Sequence, residues 1–415
     1  MKNLVLIVLL FSTNLFAFDT VFWSDIQKFS MPKYRWGTTD NTTKAKTIFF
    51  EGETYKGKPT EVFAYYCTPS ILKNGNTTAD KNLPAVVCVH GGGGRAFAEW
   101  VELWAKRGYA AIAIDWRGNG DELKYKNPSK ELRKKYSAYQ LQARKHLENG
   151  GPEHTQQTTS LDDNKSEKDA WAYHAVGAIV RAHTLIRSFK EVDANKTAIT
   201  GISWGGYLTC LVSGIDNRFK VAVPVYGCGY INEFPQNWQN YIGKNPQKIK
   251  RWIDIFEPSQ SLSITKTPML FVNAPTDQWY PLSIWTKSVK LANAQTLLIS
   301  TLKHSHHQGW NPPEIEAFIA SIFNGENKFV KLGKLQKTNS IAYCQTPDAS
   351  KIKSAQLFYT TDTKPLWKDF KWQSTTAQIT NNKISATIPE NTRAFYISVT
   401  DTQNRRITTN ATILK

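Results

Sequence analysis

The chain has 415 residues, of which 41% are hydrophobic and 21% are charged. This composition is close to that of ordinary globular proteins and excludes a collagenous, coiled-coil or wholly disordered chain. The mean hydropathy of −0.43 excludes a protein with many membrane spans. The net charge of +18 is compatible with a polyanionic partner. Because no zinc finger, basic helix or RNA-binding motif accompanies this charge, we do not expect nucleic acid to be that partner.

The N-terminus has the pattern of a secretory signal. Lys2 supplies a positive start, residues 4–10 are continuously apolar, and Ala17 offers a small residue for cleavage. The apolar run is too short to span a membrane, which takes about 20 residues, and no cysteine follows it to carry a lipid. We therefore expect residues 1–17 to be removed, and the mature protein to be periplasmic or extracellular without a stable membrane anchor.

The five cysteines do not form a spaced framework. Several of them lie inside predicted strands or helices, so we expect buried free thiols rather than disulfides or a zinc site.

Predicted strands and helices alternate along most of the chain. Two strands, at residues 47–50 and 61–67, precede the main series. The main series has predicted strands at 84–89, 109–114, 196–202, 220–226, 269–274 and 296–302, and predicted helices at 96–107, 169–189, 205–213, 285–291 and 313–323. A polar insertion from 121 to about 168 interrupts it. This alternation predicts an α/β fold with a doubly wound, mostly parallel sheet and helices on both faces.

Beyond residue 325 the pattern changes to short, alternating, threonine-rich segments. They lie at residues 355–359, 377–379, 384–388, 394–400 and 407–413, and predict a small all-β domain. We therefore expect a main domain over 18–325, with an N-terminal extension, and a second domain over 326–415. The second domain has 14 basic and 6 acidic residues. It would either complete the surface of the main domain or hold the protein on an anionic polymer.

Residues Gly201-Ile202-Ser203-Trp204-Gly205 form a G-x-S-x-G sequence between a predicted strand and a predicted helix. A sharp strand-to-helix turn exposes the serine of such a sequence, and glycine permits the close backbone packing on either side. We expect Ser203 to be a nucleophile.

A second glycine-rich segment, His90 to Gly94, directly follows the strand predicted at 84–89. Acyl transfer creates an oxyanion that needs preorganised N–H donors. We expect these donors to be the N–H of Gly91 or Gly92 and the N–H of Trp204. A phosphate-binding loop is disfavoured because no G-K-[ST] sequence is present. We expect His90 itself to hold this loop by hydrogen bonds.

An acid and a histidine should follow the nucleophile in the chain. Asp277 fits the acid, since it follows the strand predicted at 269–274, and Asp254 is a weaker candidate. The strand predicted at 296–302 leads into a loop with three histidines. We favour His306 as the base, with His304 as the alternative. Such a cluster could also bind zinc, but a serine triad accounts for one histidine without a metal, so we expect neither a metal nor a cofactor.

These residues together resemble the α/β-hydrolase superfamily, over roughly residues 45–325. Within it, the runs at 90–100, 201–210 and 223–229 and the helix carrying Trp171 resemble a secreted bacterial group related to acetylxylan esterases and dienelactone hydrolases. Prolyl-oligopeptidase-type domains are more distant relatives. The resemblance implies Ser203 as nucleophile, Asp277 as acid and His306 as base.

The function that this resemblance implies is a serine ester hydrolase acting on acylated carbohydrate. Three tryptophans, Trp204, Trp279 and Trp310, flank the expected catalytic positions and could stack on sugar rings or simply pack. One alternative is a peptidase that cleaves near proline, although the residues before His90 are too few for the large propeller of such enzymes. The other alternative is a non-catalytic polysaccharide-binding protein on a hydrolase scaffold.

Overall fold

The protein is represented by a computed structural model that describes residues 18–38, 42–161, 166–233, 242–325 and 329–414. The expected signal segment, residues 1–17, lies outside the described residues. Within the described ranges, no helix has the length and apolar character needed to cross a membrane.

The strands and helices are numbered in chain order. The strands are β1 (Tyr34–Trp36), β2 (Lys46–Glu51), β3 (Glu61–Cys67), β4 (Leu83–Val89), β5 (Ala110–Ile114), β6 (Asn119–Leu123), β7 (Arg144–His146), β8 (Val192–Ile202), β9 (Val221–Val225), β10 (Leu270–Asn273), β11 (Gln295–Leu298), β12 (Gln336–Thr338), β13 (Ile341–Gln345), β14 (Ile352–Thr360), β15 (Gln373–Thr376), β16 (Gln378–Thr380), β17 (Lys383–Thr387), β18 (Ala394–Asp401), β19 (Arg406–Thr408) and β20 (Thr412–Ile413). The helices are α1 (Pro69–Asn74), α2 (Ala98–Lys106), α3 (Lys130–Lys135), α4 (Ala138–Leu141), α5 (Gln156–Thr159), α6 (Trp171–Ser188), α7 (Trp204–Val212), α8 (Pro246–Phe256), α9 (Pro258–Leu262), α10 (Leu282–Ala292), α11 (His306–Trp310) and α12 (Pro313–Phe323).

A large sheet runs through the molecule, with parallel strands at its centre. Strands β5, β4, β8, β9, β10 and β11 pair in that order, each parallel to its neighbour. Every residue of β5 and β9 is buried, as expected of strands covered on both faces. Strands β3, β2 and β1 continue the sheet antiparallel beyond β5. The predicted α/β fold with a mostly parallel sheet is confirmed.

Helix α6 is the longest of the described helices and buries most of its residues. Its apolar residues recur at helical spacing in the sequence, and the predicted helix at 169–189 agrees with its observed bounds. The polar insertion that begins at residue 121 is not wholly irregular. Strands β6 and β7 form an antiparallel pair there, next to the short helices α3 and α4. Periodicity could not predict these elements because most of their residues are not buried.

The residues beyond 329 form strands, as the sequence predicted, but they do not all belong to a separate sheet. Strands β12, β13, β17 and β16 form a four-stranded antiparallel sheet of their own. Strands β19, β18, β14 and β15 instead extend the large sheet from the edge of β11, where Thr296 pairs with Thr408. The single strand predicted at 407–413 is two strands, β19 and β20. The expected boundary at residue 325, between a main domain and a second domain, stays a prediction.

Side-chain contacts strengthen the junction between β11 and β19. The Thr296 hydroxyl donates to the Thr408 carbonyl oxygen at 2.6 Å. The Thr408 hydroxyl accepts the N–H of Leu298 at 3.2 Å. The Arg406 guanidinium contacts the buried Glu314 carboxylate of α12 at 2.8 Å. All five cysteines are buried free thiols, as predicted.

Candidate active site

Ser203 lies at the sharp turn between β8 and α7. Its backbone has φ 59° and ψ −117°, a conformation that side-chain-bearing residues rarely adopt and that marks functional turns. Its N–H donates to the Val225 carbonyl oxygen at 2.9 Å, which ties the turn to the end of β9. This is the local structure that the G-x-S-x-G sequence predicted.

The glycines around Ser203 allow the turn to pack closely on the sheet. A Cβ on Gly205 would overlap the Val89 carbonyl oxygen at the end of β4. A Cβ on Gly201 would overlap the backbone of Gly205. Both positions therefore require glycine, and α7 begins directly against the strands that position Ser203.

Asp277 follows β10 and is almost fully buried. Its Oδ1 accepts the N–H groups of Trp279 at 2.8 Å and Tyr280 at 2.7 Å. Its Oδ2 is 2.6 Å from Nδ1 of His304. Because a carboxylate only accepts hydrogen bonds, Nδ1 of His304 carries the proton and Nε2 is the acceptor nitrogen of that ring. The His304 ring stacks on Tyr226, with ring centroids 4.5 Å apart.

His306 does not contact Asp277 in this arrangement. Its Nε2 accepts the N–H of Gly91 at 2.9 Å, and its ring packs on Phe97 with centroids 4.8 Å apart. Burial, together with the neighbouring His304 and His307, lowers the pKa of His306 to about 3. The imidazole is therefore neutral at pH 7, as an acceptor must be. Of the two histidines considered from the sequence, the structure brings His304 rather than His306 to the predicted acid.

The glycine-rich loop after β4 lies beside Ser203. His90 is buried, and its Nδ1 is 2.7 Å from the Gly91 carbonyl oxygen. Burial holds the pKa of His90 well below its ordinary value. Its ring stacks on Trp116, which donates to the His90 carbonyl oxygen at 2.8 Å. These contacts fit the structural role expected of His90. Gly92, in the same loop, packs so closely on the Trp204 indole that a Cβ on it would overlap that ring.

A cavity of about 350 Å³ lies between Ser203, the histidine loop and the glycine-rich loop. It contains the predicted nucleophile and both histidine candidates, and its lining residues are Gly91, Gly92, Gly93, Ile202, Ser203, His304, Ser305, His306 and His307. Asp254, the weaker acid candidate, lies apart on α8 and pairs with Lys250 at 2.6 Å. Among the residues that the structure describes, no three His, Cys, Asp or Glu side chains converge as a metal site would require.

Sequence reasoning missed two aromatic residues of the site. Tyr226, at the end of β9, supports the His304 ring and donates from its hydroxyl to the Lys303 carbonyl oxygen at 2.6 Å. Phe97 supports His306. Nothing in their local sequence marks these roles, although the position of Tyr226 after a parallel strand places it at the active-site edge of the sheet.

The three tryptophans near the site have different environments. Trp204 and Trp310 are buried and pack on Trp171 and Trp100, respectively. Trp279 is 48% exposed, two residues after Asp277. Only Trp279 of the three therefore presents a broad ring surface to solvent.

The doubly wound sheet and the serine turn with its glycine loop define an α/β-hydrolase, and the protein is a serine carboxylic ester hydrolase. The chain belongs to the acetyl xylan esterase family, which it matches over residues 37–266, more than half of its length. Comparison with curated protein sequences gives no match.

Solved structures similar to this chain include two acetyl xylan esterases. An acetyl xylan esterase from Paenibacillus sp. R4 is 18% identical, with a TM-score of 0.52, over 74% of this chain and 93% of that one. Acetyl xylan esterase 1 from Thermoanaerobacterium sp. JW/SL YS485 is 15% identical, with a TM-score of 0.50, over 73% of this chain and 93% of that one.

Proposed function

We propose that this esterase removes small acyl groups, acetyl above all, from an acylated carbohydrate of the acetylxylan type. Ser203 is the nucleophile, His304 the general base and Asp277 the acid that orients it. The observation that carries this assignment is the hydrogen bond from Nδ1 of His304 to the buried Asp277, because His304 lines the same cavity as Ser203.

In the proposed reaction, Ser203 Oγ attacks the ester carbonyl carbon while His304 Nε2 takes the serine proton. As the carbonyl re-forms, the bond to the sugar oxygen breaks, and His304 returns the proton to that oxygen. The acyl group remains on Ser203. Water, deprotonated by His304, then attacks the acyl carbon; the bond from that carbon to Ser203 Oγ breaks, His304 returns the proton to Oγ, and the carboxylic acid leaves.

The oxyanion of this reaction is stabilised by N–H donors at the start of α7 and in the glycine loop. Trp204 opens α7, where the helix dipole also favours a negative charge. Gly91 and Gly92 supply the donors on the other side. Because His306 accepts the Gly91 N–H in the structure, the substrate oxygen replaces Nε2 of His306 as the acceptor there.

Two features support a small acyl group on a sugar. The cavity beside Ser203 is near the lower end of the usual range for ligand pockets, about 300–1,000 Å³, and His306 occupies part of its wall. The exposed Trp279 next to Asp277 offers a flat surface on which the sugar rings can stack. We further propose that the protein is exported, on the signal-like residues 1–17.

The test is release of acetate from acetylated xylan and from p-nitrophenyl acetate by the wild type and Ser203→Ala. The variant should lose at least about 10³-fold in kcat on both substrates with unchanged circular dichroism, since only the nucleophilic oxygen is removed. Trp279→Ala should raise KM for xylan several-fold and leave p-nitrophenyl acetate turnover unchanged, whereas Trp36→Ala, at a similarly exposed position on β1, should change neither.

Other outcomes would favour the alternatives. Faster turnover of an aminoacyl p-nitroanilide than of either ester would favour a peptidase. Absence of turnover on every ester, with retention on xylan, would favour a non-catalytic polysaccharide-binding protein.

A further inference from the structure

A second cavity, of about 770 Å³, lies where the parallel strands meet the C-terminal strands. We call it the junction cleft. One wall is formed by Met269 and Gln295, at the starts of β10 and β11, and the other by the segment 331–335 and by residues 407–412. Its volume falls within the range of small-molecule binding sites, about 300–1,000 Å³.

The junction cleft is separate from the active site. Asp277 and His304 follow the carboxyl ends of β10 and β11, whereas Met269 and Gln295 lie at the amino ends of the same strands. The two cavities share no lining residue. Ligand bound in the cleft would therefore lie at the opposite edge of the sheet from Ser203.

The lining of the junction cleft is positively charged. It includes Lys290, Lys331 and Lys334, and none of the lining residues is acidic. All three lysines are exposed, and Lys331 also interacts with Asp348, which lies outside the lining. The C-terminal residues as a whole are also basic, with 14 basic against 6 acidic side chains over 326–415.

Two residues of the lining also carry a side-chain oxygen for which the described residues provide no hydrogen-bond donor. Oε1 of Gln295 and Oδ1 of Asn410 are buried without a hydrogen-bond partner among the described residues. The amide of Asn410 is held in place because its Nδ2 donates to the Thr286 carbonyl oxygen at 2.9 Å. An unsatisfied buried acceptor costs about 1–3 kcal/mol, so a ligand hydroxyl that reached either oxygen, by a small shift of its side chain toward the cleft, would stabilise it.

Anionic groups for the lysines and hydroxyl donors for the amides occur together in sugar acids. Nucleic acid fits less well, because single strands bind by stacking bases on aromatic rings, and the aromatic lining residue, Phe318, is buried. We propose that the junction cleft is a second binding site, which takes a uronate-bearing segment of a polysaccharide. The choice of a carbohydrate rests on the proposed function, whereas the preference for an anion rests on the lining of the cleft.

The test is binding of hexagalacturonate to the full-length Ser203→Ala protein by calorimetry, with neutral xylohexaose as comparison. Hexagalacturonate should bind, more weakly as salt rises, and xylohexaose should bind at least tenfold more weakly. Replacing Lys290, Lys331 and Lys334 by Gln should weaken hexagalacturonate binding about tenfold or more. The matched control replaces Lys337, Lys353 and Lys371, exposed lysines outside the cleft, and should change binding less than twofold.

A second variant distinguishes binding in the cleft from a long-range attraction of the anion by the net positive charge of the protein. Gln295→Glu keeps the side-chain size but places a carboxylate in the cleft, and it should weaken hexagalacturonate binding at least threefold. Equal weakening by the two triple variants, tighter binding of a single-stranded oligonucleotide of equal charge, or no hexagalacturonate binding would overturn the proposal. Because binding is measured without the nucleophile, it can succeed even if the proposed esterase reaction fails, and the reverse also holds.

Discussion

His304 and His306 are two positions apart in one loop, yet they contact different parts of the active site. His304 faces the buried acid, and His306 faces the glycine loop. The carboxylate of Asp277 keeps a proton on Nδ1 of His304 and so leaves Nε2 of that ring to accept the serine proton, whereas Nε2 of His306 already accepts the Gly91 N–H. The distinction between a base and a neighbouring imidazole therefore depends on which loop residue turns toward β10.

This difference predicts unequal effects of the two alanine substitutions. His304→Ala should lower kcat on p-nitrophenyl acetate by at least about 10³-fold, the loss also expected for Ser203→Ala, because the members of a triad act as a unit. His306→Ala should retain activity within about tenfold, since an acceptor on Gly91 is removed rather than the base. Steady-state kinetics on both variants, with folding checked by thermal melts, would measure this; the reverse ranking would return the role to His306.

The sequence could predict much of this site at the level of residues. The strand-to-helix context of Ser203 and the chain order of serine, acid and histidine come from local pattern alone, and the structure brings Ser203 and the histidine loop into one cavity. The choice among three histidines could not be predicted, because loop rotation toward Asp277 depends on Tyr226, which is distant in sequence. The burial of Trp204 and Trp310 could not be predicted from the sequence either, since a short-range pattern does not determine which aromatic residues are buried.

At the scale of elements, the turn that holds Ser203 depends on contact between α7 and β4. The Cβ overlap at Gly205 involves a backbone oxygen in the middle of a parallel sheet, which cannot move without disturbing several strands. Backbone packing, rather than any side chain, therefore sets how closely the first turn of α7 approaches the sheet.

A substitution at this contact should destabilise the whole domain. Gly205→Ala should lower the free energy of unfolding by about 3 kcal/mol or more, or prevent folding, because a methyl group must displace the Val89 carbonyl. Gly93→Ala is the matched control, since a Cβ there meets nothing within 4 Å, and it should change stability by less than about 1 kcal/mol. Urea unfolding of both proteins would measure the difference; similar midpoints would refute the packing argument.

The parallel strands were predictable because each contains a short run of mainly apolar residues, although the polar start of β8, before residue 196, was not predicted. The C-terminal strands were less predictable from the sequence. Strands β12 and β15 are exposed throughout and therefore have no hydrophobic pattern to read. The pairing of β19 with β11 joins residues 112 positions apart, which no local pattern can indicate.

At the scale of the whole molecule, strands β19, β18, β14 and β15 extend the large sheet, whereas β12, β13, β17 and β16 form a sheet of their own. Removing residues after 325 would leave the edge of β11 unpaired and Glu314 without Arg406. We expect such a truncated chain to be insoluble or to aggregate on purification, since exposed sheet edges promote association. A soluble, monomeric product with wild-type esterase activity, seen by gel filtration and assay, would instead indicate an independent domain.

A single substitution tests the same junction more gently. Arg406→Ala leaves the nearly buried Glu314 carboxylate without its charged partner and with the backbone N–H of residue 406 at 3.4 Å. Because Arg406 is partly exposed, we expect a loss of about 1–3 kcal/mol in the free energy of unfolding. Lys337→Ala, on the exposed strand β12, should change stability by no more than about 0.5 kcal/mol. Equal melting temperatures for the two variants would show that the ion pair between Arg406 and Glu314 does not stabilise the junction.

Buried histidines should make the molecule sensitive to acid. Burial lowers the pKa of His154 and His174 to about 4 and that of His306 to about 3, and it keeps the pKa of His90 and that of His183 below their ordinary value. Below pH 6.5 the unfolded chain binds protons at these five positions while the folded chain does not. Stability is therefore full above pH 6.5 and falls as the pH drops toward 4.

Calorimetric unfolding near pH 5.5, in buffers of different ionisation enthalpy, should show uptake of about four protons from these groups. The melting temperature should fall steadily between pH 6.5 and 4.5. Uptake of less than one proton would mean that these rings are protonated in the folded protein.

The pairing of β11 with β19 also has a consequence for how the chain acquires its structure. During synthesis, β11 emerges 112 residues before its partner, so its edge stays open while the C-terminal strands of the large sheet are still being made. Contacts of such sequence separation close late and slow folding, and an open apolar edge is prone to association in the meantime. Changes in β19 should therefore reduce the yield of soluble protein from cells before they alter the kcat of the molecules that do fold.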